Sequence, residues 1–216
     1  MTKGVLFDVD GTLVDSNYEH VVAWARAFTE AGQPGVSSAS IHRAIGLPSD
    51  SLVTHLTGAP DDEVADRHDE LLHEASEHIT ATPGAAELLQ KCRGAGRTVV
   101  LVTSGKEADL DWMLPLIGGR DAVDAIVTSD DINEGKPDPD PFEAGAKKAG
   151  LELADCVIVG DSVWDMKAAA RVDVPAIGVG CGGVDAESLR KAGAVEVYDD
   201  PADLADKLSR SLIGRS

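Results

Sequence analysis

Cysteine is scarce in this sequence of 216 residues: Cys92, Cys156 and Cys181 are odd in number and far apart, with no Cys-x-x-Cys pair. That excludes a disulfide scaffold or a zinc ribbon and points to a reducing compartment. Long apolar runs are missing. None approaches the ~18 residues needed to span a bilayer. The N-terminus reads as no signal peptide, because Asp8 and Asp10 interrupt the apolar run Val5-Leu6-Phe7. A cytoplasmic protein is expected. Basic residues are also few, with Lys+Arg 19 against Asp+Glu 38 and a net charge of −19. A nucleic acid or an anionic membrane requires a basic face, so neither is expected as a partner. An anionic small molecule stays open, because a bound divalent cation reverses the local field. The remaining composition, 43% hydrophobic and 26% charged, is that of an ordinary globular chain.

What is present is organised in two rhythms. Gly4–Val9 reads as a short buried strand ended by acids and the turn signal Asp10-Gly11. Residues 16–79 then show helical patterns with no strand between them. Ser16-x-x-Glu19 reads as a capping box, followed by Tyr18, Val21, Val22, Ala25 and Phe28 on one expected face. Two short helices are expected near 38–57, split at Gly46-Leu47-Pro48, and a longer one over Asp61–Ile79. From Thr82 the rhythm becomes α/β, with Thr82-Pro83 opening a helix to about Gly94. Apolar strands are expected at Thr98–Val102, Ala125–Val127, Cys156–Val159, Pro175–Val179 and Val195–Tyr198. Helices are expected after Ser104-x-x-Glu107, over Val163–Arg171 and after Asp200-Pro201. Alternation of this kind means βαβ units and a parallel sheet. The expected fold is therefore a Rossmann-like parallel sheet flanked by helices, formed by residues 1–14 and 82–216. An all-helical insertion occupies 15–81.

Ligands in such folds bind beyond the carboxyl ends of the strands. The chemistry-bearing residues collect there: Asp8 and Asp10 after the first strand, Thr103 after the second, Lys136 in the loop after the third, Asp161 after the fourth with Asp165 four residues on. Paired carboxylates repel, and one tends to hold a proton. A third, Asp161, makes sense beside Mg²⁺, which prefers oxygen ligands. Carboxylates, a hard cation, an ammonium and a hydroxyl together suit a phosphoryl group. Ser162-x-x-Asp165 also has the spacing of a helix cap, so Asp165 carries two readings at this point.

Asp8-Val9-Asp10-Gly11-Thr12, Thr103, Gly135-Lys136-Pro137 and Gly160-Asp161-Ser162-Val163-Trp164-Asp165 resemble the four ordered motifs of the haloacid dehalogenase-like hydrolase superfamily. The helical insertion is similar to the cap of its phosphoglycolate phosphatase and β-phosphoglucomutase branch. The resemblance implies a Mg²⁺-dependent phosphatase acting on a small-molecule phosphate ester. Asp8 would be the nucleophile that forms an aspartyl phosphate, and Asp10 the general acid and base. Thr103 would donate to a phosphoryl oxygen, and Lys136 would neutralise charge on phosphate and on Asp8. The metal would be held by the Asp8 carboxylate, the Asp10 backbone carbonyl and Asp161. Asp165 would support the metal site or Lys136 from behind, and Thr12 would brace the loop.

Among the chemistries of such folds, dehalogenation is disfavoured by the presence of Asp10. A Schiff-base phosphonatase fails because no lysine lies between Lys3 and Lys91. A sugar-phosphate mutase needs a cationic hold on a second phosphate, and the loop Gly46–Ser51 has none; Arg43 is the nearest candidate. A non-catalytic binding protein would be expected to have lost the nucleophile or the lysine, and neither is lost. The helical insertion sets three arginines against twelve acids over residues 15–80, which disfavours a highly anionic substrate tail. All six histidines (His20, His42, His55, His68, His73 and His78) lie in the insertion and are expected on its solvated surface or as satisfied helix-face groups. Monomer and dimer are equally compatible with the sequence.

Overall fold

The computed structural model describes residues 2–215. Six strands form one all-parallel sheet: β1 (Gly4–Phe7), β2 (Thr98–Val102), β3 (Ala125–Val127), β4 (Cys156–Gly160), β5 (Ala176–Val179) and β6 (Glu196–Tyr198). Their spatial order is β3-β2-β1-β4-β5-β6. The chain order reverses direction beside β1, so the ends of β1, β2 and β4 share one crevice. Register supports this: Phe7 pairs with Leu101 on one side and with Val159 on the other. The residues that follow these three positions therefore emerge together.

The strands are apolar throughout because both sheet faces are covered. Val5, Phe7, Leu101 and Val159 belong to one buried cluster, and Leu6, Val100, Val102 and Ile158 to the other. Between β1 and the 3₁₀ turn at Ser76–His78 lie four helices, α1 (Asn17–Glu30), α2 (Ser38–Ala44), α3 (Ser49–Thr57) and α4 (Asp62–Ala75). Trp24, Phe28, Ile41, Leu52, Val53, Leu71 and Leu72 pack inside this segment and join the first cluster. The remaining helices are α5 (Ala85–Gly94), α6 (Leu110–Leu116), α7 (Asp140–Lys148), α8 (Val163–Arg171), α9 (Ala186–Ala192) and α10 (Pro201–Asp206).

Several local expectations are corrected. Ser16 does not cap α1, since its hydroxyl donates instead to Asp10. The buried face of α1 is set by Asn17, Val21, Trp24 and Phe28, a 3.6-residue repeat, while Tyr18 and Val22 face outward. Ser104 likewise opens no capping box. Its hydroxyl donates to the carbonyl of Gly46, and a short 3₁₀ turn from Glu107 precedes α6. The helix after Thr82-Pro83 begins only at Ala85, because Gly84 takes a left-handed conformation. Two helices, α7 and α9, were not legible in the sequence. Asp61, Ser162 and Asp200 do accept the cap bonds their patterns suggest.

Candidate active site

Asp8 leaves the end of β1 into a buried pocket. One of its carboxylate oxygens accepts a hydrogen bond from the Lys136 ammonium, and the other accepts from Thr12 Oγ1 at 3.1 Å. Lys136 comes in from the loop after β3. Its Nζ also lies 2.8 Å from Asp165 Oδ1, and only 1% of its side chain is exposed. Asp165 sits in the first turn of α8, where its second oxygen accepts from the backbone N–H (3.1 Å) and hydroxyl (2.6 Å) of Ser162. One oxygen of Asp165 therefore completes the helix cap while the other faces the lysine.

Asp161 ends β4 and is held by Thr12 Oγ1 at 3.2 Å and Asn17 Nδ2 at 2.8 Å. Two glycines make room for it. A Cβ on Gly182 would stand 1.7 Å from its Oδ2, and one on Gly11 would stand 2.5 Å away, with Gly11 also at φ +76. Asp10 turns the other way, toward the helical segment. Its carboxylate accepts from Ser16 Oγ (2.6 Å), Thr103 Oγ1 (3.2 Å) and His20 Nε2 (3.2 Å). Thr103 thus reaches the site, and its hydroxyl donates to Asp10 Oδ2 in this structure.

The charges are unequal. Burial pushes the Asp8 carboxyl up; Lys136 pulls it back and Asp165 pushes it up again, leaving it at about 7. Burial, then the charges of Asp8 and Asp165, raise Asp161 well above the usual carboxylate range. Burial works against the Lys136 ammonium, but the charges of Asp165 and Asp8 hold it protonated. For Asp10, burial is outweighed by the hydrogen bonds from His20, Ser16 and Thr103, which keep it below its ordinary value.

A divalent cation fits the first group. Asp8, Asp161 and Asp165 each offer a carboxylate oxygen, all within 4.8 Å of one another, against a single ammonium. Asn17 Oδ1 is buried beside them with no hydrogen-bond partner among the described residues. Hard oxygen donors with a surplus of negative charge match Mg²⁺ or Ca²⁺. The Asp10 side chain is not in this group, so it leaves only a backbone carbonyl to offer.

The family model for haloacid dehalogenase-like hydrolases matches residues 5–179, which run from β1 through β5 and include Asp8, Asp10, Thr103, Lys136, Asp161 and Asp165. The chain belongs to the haloacid dehalogenase-like hydrolases. A phosphoglycolate phosphatase of Rhodospirillum rubrum is 30% identical over 96% of this chain and 91% of that protein. Hexitol phosphatase A of Escherichia coli is 37% identical over 74% of each. The crystal structure of a hydrolase from Pseudomonas syringae superimposes with a TM-score of 0.91 at 35% identity, over 97% of this chain and 99% of that one.

In this haloacid dehalogenase-like hydrolase, sequence reasoning located Asp8, Asp10, Thr103, Lys136, Asp161 and Asp165 in one site. It missed Ser16, Asn17 and a histidine chain. His55, His73 and His78 are exposed as expected. His42 is not: its Nε2 lies 2.9 Å from the carbonyl of Gly182. His20 Nδ1 lies 3.0 Å from His68 Nε2, and His68 Nδ1 lies 2.9 Å from Asp69 Oδ1. Carboxylates only accept, so both ends of the chain are fixed as N–H donors toward Asp69 and Asp10. Lys106, from the core, closes the far end at 2.6 Å from Asp69 Oδ2.

One proton between the two imidazoles belongs on His20. Burial opposes its charge, but the hydrogen bond and charge of Asp10 raise its pKa. Burial, together with the charge on His20, lowers His68 from 6.5 to about 4. Between those two values the unfolded chain binds a proton at His68 that the folded one refuses. Stability carried by this group is present above pH 6.5 and is lost as the pH falls toward 4, about 2 kcal/mol between pH 7 and pH 5. Urea unfolding at the two pH values is expected to show a larger loss for the parent than for His68→Phe, which keeps the stack on Trp24 (3.9 Å between ring centroids). Equal losses would mean that His68 is not held neutral.

Proposed function

We propose that this phosphatase of the haloacid dehalogenase-like family hydrolyses a small-molecule phosphomonoester through an aspartyl phosphate on Asp8, with Mg²⁺ as cofactor. One observation carries the reading: Asp8 faces Lys136 and Asp161, while Asp10 opens with it onto a single cavity between the sheet edge and helices α1, α3 and α4. In this reading residues 15–81 act as a cap over a core built from 1–14 and 82–216.

Asp8 supplies the attacking oxygen. Lys136 holds that carboxylate in place and balances charge as phosphate approaches. Asp10, ionised when its three donors are all engaged, takes a first proton from solvent and gives it to the leaving oxygen, and the proton it then accepts from the water that cleaves the acyl phosphate serves the next turnover. His20 and Ser16 fix its orientation, and Thr103 is within reach to exchange Asp10 for a phosphoryl oxygen. Asp8, Asp161 and the Asp10 carbonyl, with Asp165 behind them, would hold Mg²⁺. When bound, the ion supplies positive charge that lets an anionic nucleophile meet an anionic phosphoryl group.

A mutase reading gains no support from the cavity walls. Arg43 lies outside the cavity, in a depression with His42, His55, Trp164, Val184 and Asp185, and Trp164 is tied by its Nε1 to the carbonyl of Arg43. Hydrolysis of an aryl phosphate is expected to require Mg²⁺, to stop on addition of EDTA and to return when Mg²⁺ is restored in excess. Mg²⁺ is also expected to raise the thermal midpoint. Full activity in EDTA would remove the metal from the mechanism.

A further inference from the structure

The cavity above Asp8 and Asp10 is confined, about 100 Å³, well below the several hundred Å³ of a typical ligand pocket. Its far wall is the part that would meet the leaving group, and its charges are one-sided. Three carboxylates line it beyond the catalytic pair: Asp50 from α3, Asp69 from α4 and Asp109 from the turn before α6. The cationic side chains among the lining residues are both paired: Lys106 with Asp69 at 2.6 Å and the His20 imidazolium with Asp10 at 3.2 Å. His20 is engaged by Asp10 and His68 by Asp69.

The arginines that could have compensated are turned elsewhere. Arg26 and Arg67 pair with Glu30, at 2.8 Å and 2.7 Å, and Arg43 lies in the separate depression described above. Neutral polar groups complete the wall: the hydroxyls of Ser49, Ser104 and Ser129. Trp24, Leu52 and Leu72 give it an apolar side.

Resting on the phosphatase reading, we infer that Asp50, Asp69 and Asp109 make this cavity selective for phosphate esters of small, uncharged, hydroxyl-bearing alcohols and make it reject leaving groups that carry a carboxylate or a second phosphate. The chemistry runs in both directions. Substrate hydroxyls donate to carboxylates in charge-assisted hydrogen bonds, which are about twice as strong as neutral ones. An anionic tail meets the same oxygens as like charges in a site that water leaves, where repulsion is several times larger than in bulk solvent. Lys106 cannot serve such a tail without leaving Asp69, and that would expose the end of the histidine chain that supports Asp10.

The test uses matched pairs that differ only in this charge: 2-hydroxyethyl phosphate against 2-phosphoglycolate, and glycerol 3-phosphate against 3-phosphoglycerate. The purified full chain with Mg²⁺ is assayed by phosphate release, with p-nitrophenyl phosphate as a common reference. The neutral member of each pair is expected to have the higher kcat/KM by ~10-fold to ~100-fold, the range that one nearby like charge produces. Asp50→Asn with Asp109→Asn is expected to narrow that ratio, and Asp50→Lys to narrow it further through the KM of the acidic substrate. Equal rates within the pairs, or preference for the acid, would overturn the inference while reference turnover left the phosphatase reading standing. A preference that none of the variants changes would overturn the assignment to these carboxylates. Absence of turnover on every substrate, the reference included, would overturn both.

Discussion

Asp8→Asn is expected to fold at least as stably as the parent and to lose turnover by on the order of 10⁴-fold or more, the scale on which removal of a nucleophile acts. The two effects have opposite signs for one reason. Asp8 is 5% exposed and shares its pocket with Asp161 and Asp165. Burial raises its carboxyl to about 7 from an ordinary 3.8. A carboxyl whose pKa rises on folding weakens the fold at neutral pH, because ionising it there costs more than in the unfolded chain. An amide removes that charge and its repulsion, and Lys136 keeps Asp165 as a partner at 2.8 Å. The amide has no anionic oxygen with which to attack phosphorus. Thermal melting and phosphate release on the same preparation check both halves. An unfolded variant would make Asp8 a structural group, and retained turnover would move the nucleophile elsewhere.

The parts of this site legible in the sequence are those that ride on strand ends. Parallel strands covered on both faces are apolar at every position, so each ends visibly where a polar residue begins. That places Asp8, Thr103 and Asp161 at one sheet edge without any structure. Lys136 is legible because its loop joins that edge.

The illegible parts are contacts made across the fold. Ser16-x-x-Glu19 has the pattern of a capping box, yet a buried carboxylate is a stronger acceptor than the N–H groups' alternative partner is a constraint, and the hydroxyl turns to Asp10. No local spacing signals such a choice. His20 and His68 are 48 residues apart on two different helices, and spacing within α4 alone suggested solvated or merely satisfied rings. Asn17 is a single polar residue whose role depends on Asp161, 144 positions away. Helix α7 was hidden by Pro139 and Pro141, which lie at its first turn, where proline is tolerated.

Lys136→Met is the counterpart of Asp8→Asn and is expected to lose both activity and stability. The ammonium is buried against Asp8 and Asp165 and stands 5.5 Å from the Phe142 ring centroid. Methionine fills most of that volume, so packing is largely retained and the charge is what is lost. Two carboxylates then remain buried beside a third with no cation among them. Breaking a buried ion pair from one side costs about 3–5 kcal/mol, and in a chain of this size each kcal/mol lowers the midpoint by roughly 2–4 °C. A fall of about 10 °C is expected by calorimetry. Adding Asp8→Asn to Lys136→Met is expected to recover part of that fall and none of the activity, because the second change removes one of the two stranded charges. Mg²⁺ is expected to narrow the deficit as well, since a divalent cation between Asp8 and Asp161 compensates the same surplus. If Lys136→Met melted with the parent, the lysine would not be balancing these carboxylates. If the double variant melted lower than the single one, the loss would come from packing around Phe142 rather than from charge.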